Sequence, residues 1–330
     1  MNSRDRGVLT IIGDSVVDHI YRTDRLPAEG VPARGRFEEH FGGKGLNRAV
    51  AAARLGLDVR LISAVGDDVA GRRIIRCLRR EGVDTELVKI VPGETTPVVA
   101  LIVASSGFTG IIQDGEDAVR LSRDDLRSAA ARSAITSSDA VLLTFAPPIA
   151  VIEQAMAVVR TAHERPRLLV QATPQTDSPQ YLTKHLSRID YLIGTRRELC
   201  ELVADPGRDS ETPTADFDSE VAPQLLAHGV GCVCAVEGFE CSVRSAELNL
   251  DVPRSLAAVL SDSPGAYAAF AAALAYRMVS SGRPADRGDF EWATAAMAAT
   301  QSFGDIPAAM PTAGEVDRIA RLPAVSDTPD

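Results

Sequence analysis

Short apolar runs, each closed by glycine or a polar cluster, alternate along this chain with longer stretches whose apolar residues recur at helical spacing. Val8–Ile12 ends at Gly13 and reads as a first buried strand. Ala140–Thr144, Arg167–Gln171, Tyr191–Ile193 and Gly231–Val236 read the same way, while Asp125–Ala134 and Ile149–Ala162 read as helices. Strands separated by helices predict a parallel sheet with helices on both faces. Ser263 is a good N-cap, Pro264 suits the first helical position, and the alanine-rich run after them predicts a helix to Ser281, stopped by Gly282. Two regions break the rhythm. Residues 20–41, punctuated by Pro27, Gly30 and Pro32, and residues 96–112, with Val98–Val103 and Gly107, read as strands that leave the main sheet. Together they predict a small β-sheet lid, whose apolar faces would need cover from a second copy of the chain.

Size and charge narrow the picture. With 330 residues and 45% hydrophobic content the chain can bury one large core, so residues 1–323 are read as one domain. The stretch 205–220 is acidic and contains proline, and is read as a surface loop; residues 324–330 are read as a disordered tail. A net charge of −10 argues against nucleic acid or an anionic membrane as partner. No apolar run is long enough for a membrane span, and the first residues lack a signal-peptide core, so the expectation is cytoplasmic. The five cysteines do not form a disulfide framework; Cys232 and Cys234 alternate within an apolar run and predict one face of a buried strand. The five histidines show no ligand spacing, and the lone Trp292 reads as core.

Candidate chemistry concentrates in two places. Asp18 follows the first strand, at the sheet edge where open α/β folds bind ligands, and could accept hydrogen bonds from hydroxyls or serve only as a loop carboxylate. Gly42-Gly43-Lys44-Gly45-Leu46-Asn47 joins a glycine turn, a charge and an amide to a helix ending at Leu55. Such a turn lets backbone approach a ligand closely.

The glycine–lysine–asparagine window, with Leu61–Asp68, Gly71, Glu81–Asp84 and Thr95-Thr96, resembles the ribokinase (PfkB) carbohydrate-kinase family over nearly the whole chain. The resemblance implies a three-layer α/β/α sandwich with a mostly parallel central sheet and a small β lid. It also implies ATP with Mg as cofactors, a sugar or nucleoside as substrate, and a homodimer through the lid. Asp18, Gly42, Gly43, Lys44 and Asn47 match positions that hold the sugar, while the expected Asn and Glu stand as Val16 and Ala146. The second family signature, Asp-Thr-x-Gly-Ala-Gly-Asp-x-Phe, reads Asp262-Ser-Pro-Gly265-Ala266-Tyr267-Ala268-Ala-Phe270. The anion-holding turn survives as Gly265 and Ala266, with Tyr267 replacing a glycine, and the base position is Ala268. On the nucleotide side Thr195 replaces an Asn, Glu198 remains as the one metal-side carboxylate, and Glu237-Gly238 occupies a turn the family builds from two glycines. The expectation is therefore a catalytically impaired family member that binds a sugar-like or nucleoside-like molecule or acts as a regulatory protein. The alternative is an active ATP-dependent sugar or nucleoside kinase acting on a hydroxymethyl group.

Overall fold

The chain was analysed as a computed structural model that describes residues 6–105, 109–113, 118–172, 179–203, 215–254, 264–300 and 309–322. Its main sheet grows outward from β1 (Val8–Ile12), which pairs in parallel with β4 (Asp58–Gly66) on one side and β9 (Ala140–Thr144) on the other. Beyond β4 lie β5 (Val83–Asp84) and β6 (Val88–Val91), both parallel to it. Beyond β9 come β10 (Arg167–Gln171), β11 (Tyr191–Gly194) and β12 (Cys232–Glu237), still parallel. The edge is finished antiparallel by β13 (Glu240–Ser245) and β14 (Asn249–Val252). A parallel strand is buried on both faces, which is why these runs are apolar throughout and not alternating.

Successive residues of each strand point to opposite layers. Leu142, Leu169 and Ile193 face α1 (Lys44–Leu55), α2 (Val69–Arg80), α8 (Pro264–Ser281), α9 (Arg287–Ala299) and α10 (Ala313–Ala320). Leu143, Val170 and Leu192 face α4 (Ala129–Thr136), α5 (Ile149–Arg160), α6 (Arg196–Val203) and α7 (Ala222–Ala227). Cys232 and Cys234 lie together on the first of these faces with sulfurs 3.8 Å apart, and Trp292 is core. The helix predicted over 125–134 is two helices, α3 (Arg123–Arg127) and α4, because Ser128 leaves helical geometry and caps the second through Ala131 N–H.

The lid is a separate four-stranded sheet in the order β3 (Gly35–Gly42), β2 (Val16–Thr23), β7 (Val98–Ala104) and β8 (Thr109–Gln113). It starts earlier than the sequence predicts, at Val16, only three residues after β1 ends. Gly107, Asp262, Ser263, residues 205–214 of the acidic stretch and the tail 324–330 lie outside the described residues. The end of the acidic stretch is a helical turn, Phe217–Val221, with Phe217 and Val221 buried and Asp216 as its cap. Among the described residues, no helix is long and apolar enough to cross a membrane.

Candidate active site at the root of the lid

The lid joins the main sheet where two backbones cross. The segment Gly13–Ser15 leads from β1 into β2, and Gly43 leads from β3 into α1. At the crossing a Cβ on Gly45 would stand 2.6 Å from the Gly13 carbonyl carbon, and one on Gly43 would stand 2.7 Å from the Asp14 oxygen. Gly43 also has φ +102°, a left-handed conformation that favours glycine. A Cβ on Gly42 would collide with the Asp18 carboxylate. The sequence reading assigns these glycines to close approach of a ligand; in the structure their missing side chains make room for the chain itself.

The crossing sets polar groups at the C-terminal edge of the sheet. Asp14 Oδ1 accepts from the N–H groups of Lys44 (2.9 Å) and Gly45 (3.3 Å), so it caps α1 from outside the helix. Asp18, the third residue of β2, is 8% exposed, and its carboxylate has no hydrogen-bond partner among the described residues. Burial, helped by the charge of Asp14, pushes its pKa up to about 7. Lys44 is half-buried, makes no ion pair among the described residues, and burial lowers its pKa. Asn47 Oδ1 and Thr144 Oγ1 are fully buried without a partner among the described residues. Thr144 ends β9, and its hydroxyl lies 3.2 Å from where a Gly13 Cβ would be. Buried polar groups are normally satisfied. Among the described residues the buried Asn47 Oδ1, Thr144 Oγ1 and, on the lid, Thr23 Oγ1 are left open.

On the same helix lies Arg48, one helical turn after Lys44 and 3% exposed. Its guanidinium donates to Gln171 Oε1 through Nε (2.8 Å) and Nη2, and to the Lys44 carbonyl through Nη1 (2.6 Å). Sequence reasoning missed Thr144, Arg48 and Gln171. The only signal was a charged residue inside an otherwise apolar helix window.

The second signature opens α8, which packs against α1. Gly7, just before β1, packs against Val279 near the end of α8. Gly265 and Ala266 are buried in its first turn, Tyr267 is half-buried, and Ala268 is 0% exposed. Val16 is buried in β2, and Ala146 is half-buried just beyond β9. Neither offers a polar atom where the resemblance expects one. Glu198 Oε2 accepts from Thr195 N–H (2.7 Å) while Thr195 Oγ1 accepts from Glu198 N–H (3.2 Å), a reciprocal cap at the start of α6. Burial raises the Glu198 pKa, against the pull of those bonds and of Lys44 and Arg48. Glu237 is exposed and lies 3.9 Å from Arg196, which offsets the charge the sequence places there. Gly238 and Phe239 turn the β12–β13 hairpin at φ +58° and +68°. Among the described residues, no group of three His, Cys, Asp or Glu could hold a metal ion.

The profile described as "pfkB family carbohydrate kinase" matches residues 8–312. A ribokinase of Haemophilus influenzae is 31% identical over 156 residues, which are 47% of this chain and 50% of that protein. The chain thus spans about half the length of that relative. An ATP-dependent ribose-1-phosphate kinase of Halopiger xanaduensis is 32% identical over 215 residues, 64% of this chain and 68% of the other. The structure of Arabidopsis thaliana ribokinase complexed with ribose and ATP superposes with a TM-score of 0.77 at 23% identity, covering 96% of this chain and all of that one.

Proposed function

The chain belongs to the pfkB family of carbohydrate kinases, and from that premise we propose that it binds a sugar-like polyol at the root of the lid and transfers phosphate to it slowly or not at all. The binding half is supported by the Asp18 carboxylate, the Lys44 ammonium and Asn47 Oδ1, for which no partner is seen among the described residues. Ala268 carries the catalytic half. A methyl group that is fully buried stands where the family resemblance puts the base that removes the hydroxyl proton. Loss of a general base commonly costs about 10²–10⁴ in rate. Tyr267 adds bulk to the turn at the start of α8, where the family resemblance puts the phosphate.

A second reading, an active ATP-dependent kinase for a sugar or nucleoside, is favoured by the names of the relatives and by one feature of the pocket. Asp18 is a buried carboxylate with a pKa of about 7, suited to accept a proton at neutral pH. Among the described residues no group of three His, Cys, Asp or Glu could hold the Mg that such a reaction uses, and one Glu198 oxygen is engaged in capping α6. We also propose that the lid pairs with a second copy, because Tyr21, Phe37, Ile111 and Ile112 expose apolar surface on it.

The test is ADP release coupled to sugar phosphorylation, with ribose, deoxyribose and nucleosides offered alongside ATP and Mg. Turnover in the ordinary range of 1–100 per second, typical of kinases, would refute the impaired reading (about that range is usual). Activity near background in the native chain, rising about a hundredfold in Ala268→Asp, would support it.

A further inference from the structure

The far end of the lid is cationic in a chain whose net charge is −10. From Arg22 to Arg36 there are four arginines, Arg22, Arg25, Arg34 and Arg36, against Asp24 and Glu29. Arg22 and Arg36 face each other directly across the β2–β3 register, and like charges so placed repel. Alternation along the strands puts them on the face away from Tyr21 and Phe37, whose rings lie 5.2 Å apart. A hollow of about 410 Å³ at this end is lined by Arg22, Arg34 and Arg36 with Thr23, Asp24 and Ser105. The nearby carboxylates are already engaged. Asp24 Oδ1 accepts from the Arg34 N–H (3.1 Å), its Oδ2 accepts from Arg25 Nη1 (3.3 Å), and Glu38 sits 3.7 Å from Arg22 and 3.5 Å from His40. Among the described residues the guanidinium groups of Arg34 and Arg36 have no hydrogen bond and no ion pair. Thr23 Oγ1 is buried and also lacks a partner there, although buried polar atoms are normally satisfied.

We infer that the far end of the lid binds a small phosphate-bearing molecule, at a site separate from the pocket at the root. A guanidinium presents its N–H donors as a planar fork that matches phosphate oxygens in pairs. Arg34 and Arg36 supply two such forks, and the Thr23 hydroxyl has a proton to donate. One anion held here satisfies all three and offsets the repulsion between Arg22 and Arg36. The two sites do not overlap. Arg22 lies four residues beyond Asp18 along β2, about 13 Å at the usual rise of a strand. Because the ligand bridges β2 and β3, it also ties together the strands that carry Asp18 and Gly42 at their other ends.

Isothermal titration of the full chain with inorganic pyrophosphate tests this, with citrate as a carboxylate anion for comparison. Pyrophosphate is expected to bind, and Arg34→Gln and Arg36→Gln should each weaken it by about tenfold, as loss of a charge-assisted pair of bonds implies. Arg132→Gln, which removes an exposed charge on α4, should leave the affinity unchanged. Hydrogen exchange locates the site independently of any variant: pyrophosphate should slow exchange at residues 22–25, 34–36 and 103–105. Protection at the start of α1 or α8 in place of those residues would put the anion in the root pocket and overturn the inference. So would equal losses in all three variants, which would mean nonspecific attraction, and so would citrate binding as tightly as pyrophosphate. Absence of both heat and protection would show that the arginines hold no such ligand.

Discussion

At the scale of single residues, Asp18 ties the pocket to stability. Its pKa is about 3.8 in an unfolded chain and about 7 in the folded one, raised first by burial and then by Asp14. Between those values the folded state binds more protons than the unfolded state, so stability falls as pH rises across that window and is lowest above it. At about 1.4 kcal/mol per unit, the penalty is on the order of 4 kcal/mol at pH 8 and about 2 kcal/mol at pH 5. Asp18→Asn is therefore expected to raise the urea midpoint more at pH 8 than at pH 5, and an equal gain at both would contradict this origin. The same carboxylate shows what the sequence makes legible. Asp18, Lys44 and Asn47 stand out because they sit in or beside a recognisable window at a strand end. Thr144 and the Arg48–Gln171 pair do not, because their meaning arises from contacts made across more than a hundred residues, and a Thr closing a strand or an Arg in a helix is unremarkable alone.

At the scale of elements, two glycines in helices should respond in opposite ways to the same change. Helix propensity favours alanine at both by up to about 1 kcal/mol. At Gly314 in α10 a Cβ meets nothing within 4 Å, so Gly314→Ala should stabilise by that amount. At Gly45 the methyl would strike the Gly13 backbone, and Gly45→Ala should destabilise by about 3 kcal/mol or more, with thermal unfolding as the readout. The β12–β13 hairpin poses a similar contest. Phe239 sits at φ +68°, a strain of about 1–2 kcal/mol for a side-chain-bearing residue. It is also 1% exposed, and removing a buried Phe costs about 3–5 kcal/mol. Burial wins, so Phe239→Gly should destabilise although it relieves the backbone. A two-residue turn was hard to read from Glu237-Gly238-Phe239-Glu240, because a bulky aromatic is disfavoured there until the core beneath it is known. The break between α3 and α4 was hidden for a related reason: Ser128 lies within an unbroken helical pattern and reveals itself as a cap only through Ala131.

At the scale of the molecule, strand–helix alternation and the lid were legible from apolar runs, while the order of strands came only with the pairing. Sedimentation should report a dimer at micromolar concentration, and Phe37→Glu with Ile112→Lys should shift it to monomer; a monomer in the native chain would refute the lid-to-lid arrangement. The lid's second stem is held by Asp68, which accepts from Gly71 N–H (2.7 Å), Thr96 N–H (3.0 Å) and Thr96 Oγ1 (2.7 Å). These bonds outweigh burial and keep its pKa below the usual carboxylate range. Thr96→Val should loosen that stem, read as faster amide exchange in β7.

The crossing of Gly13, Gly43 and Gly45 has a further implication for how such chains change over generations. Those glycines answer to the architecture, so a lineage could abandon phosphate transfer entirely and still be forbidden to alter them. The motif by which a kinase is recognised would then outlive the reaction, as a keyhole stays in a door after the lock is taken out.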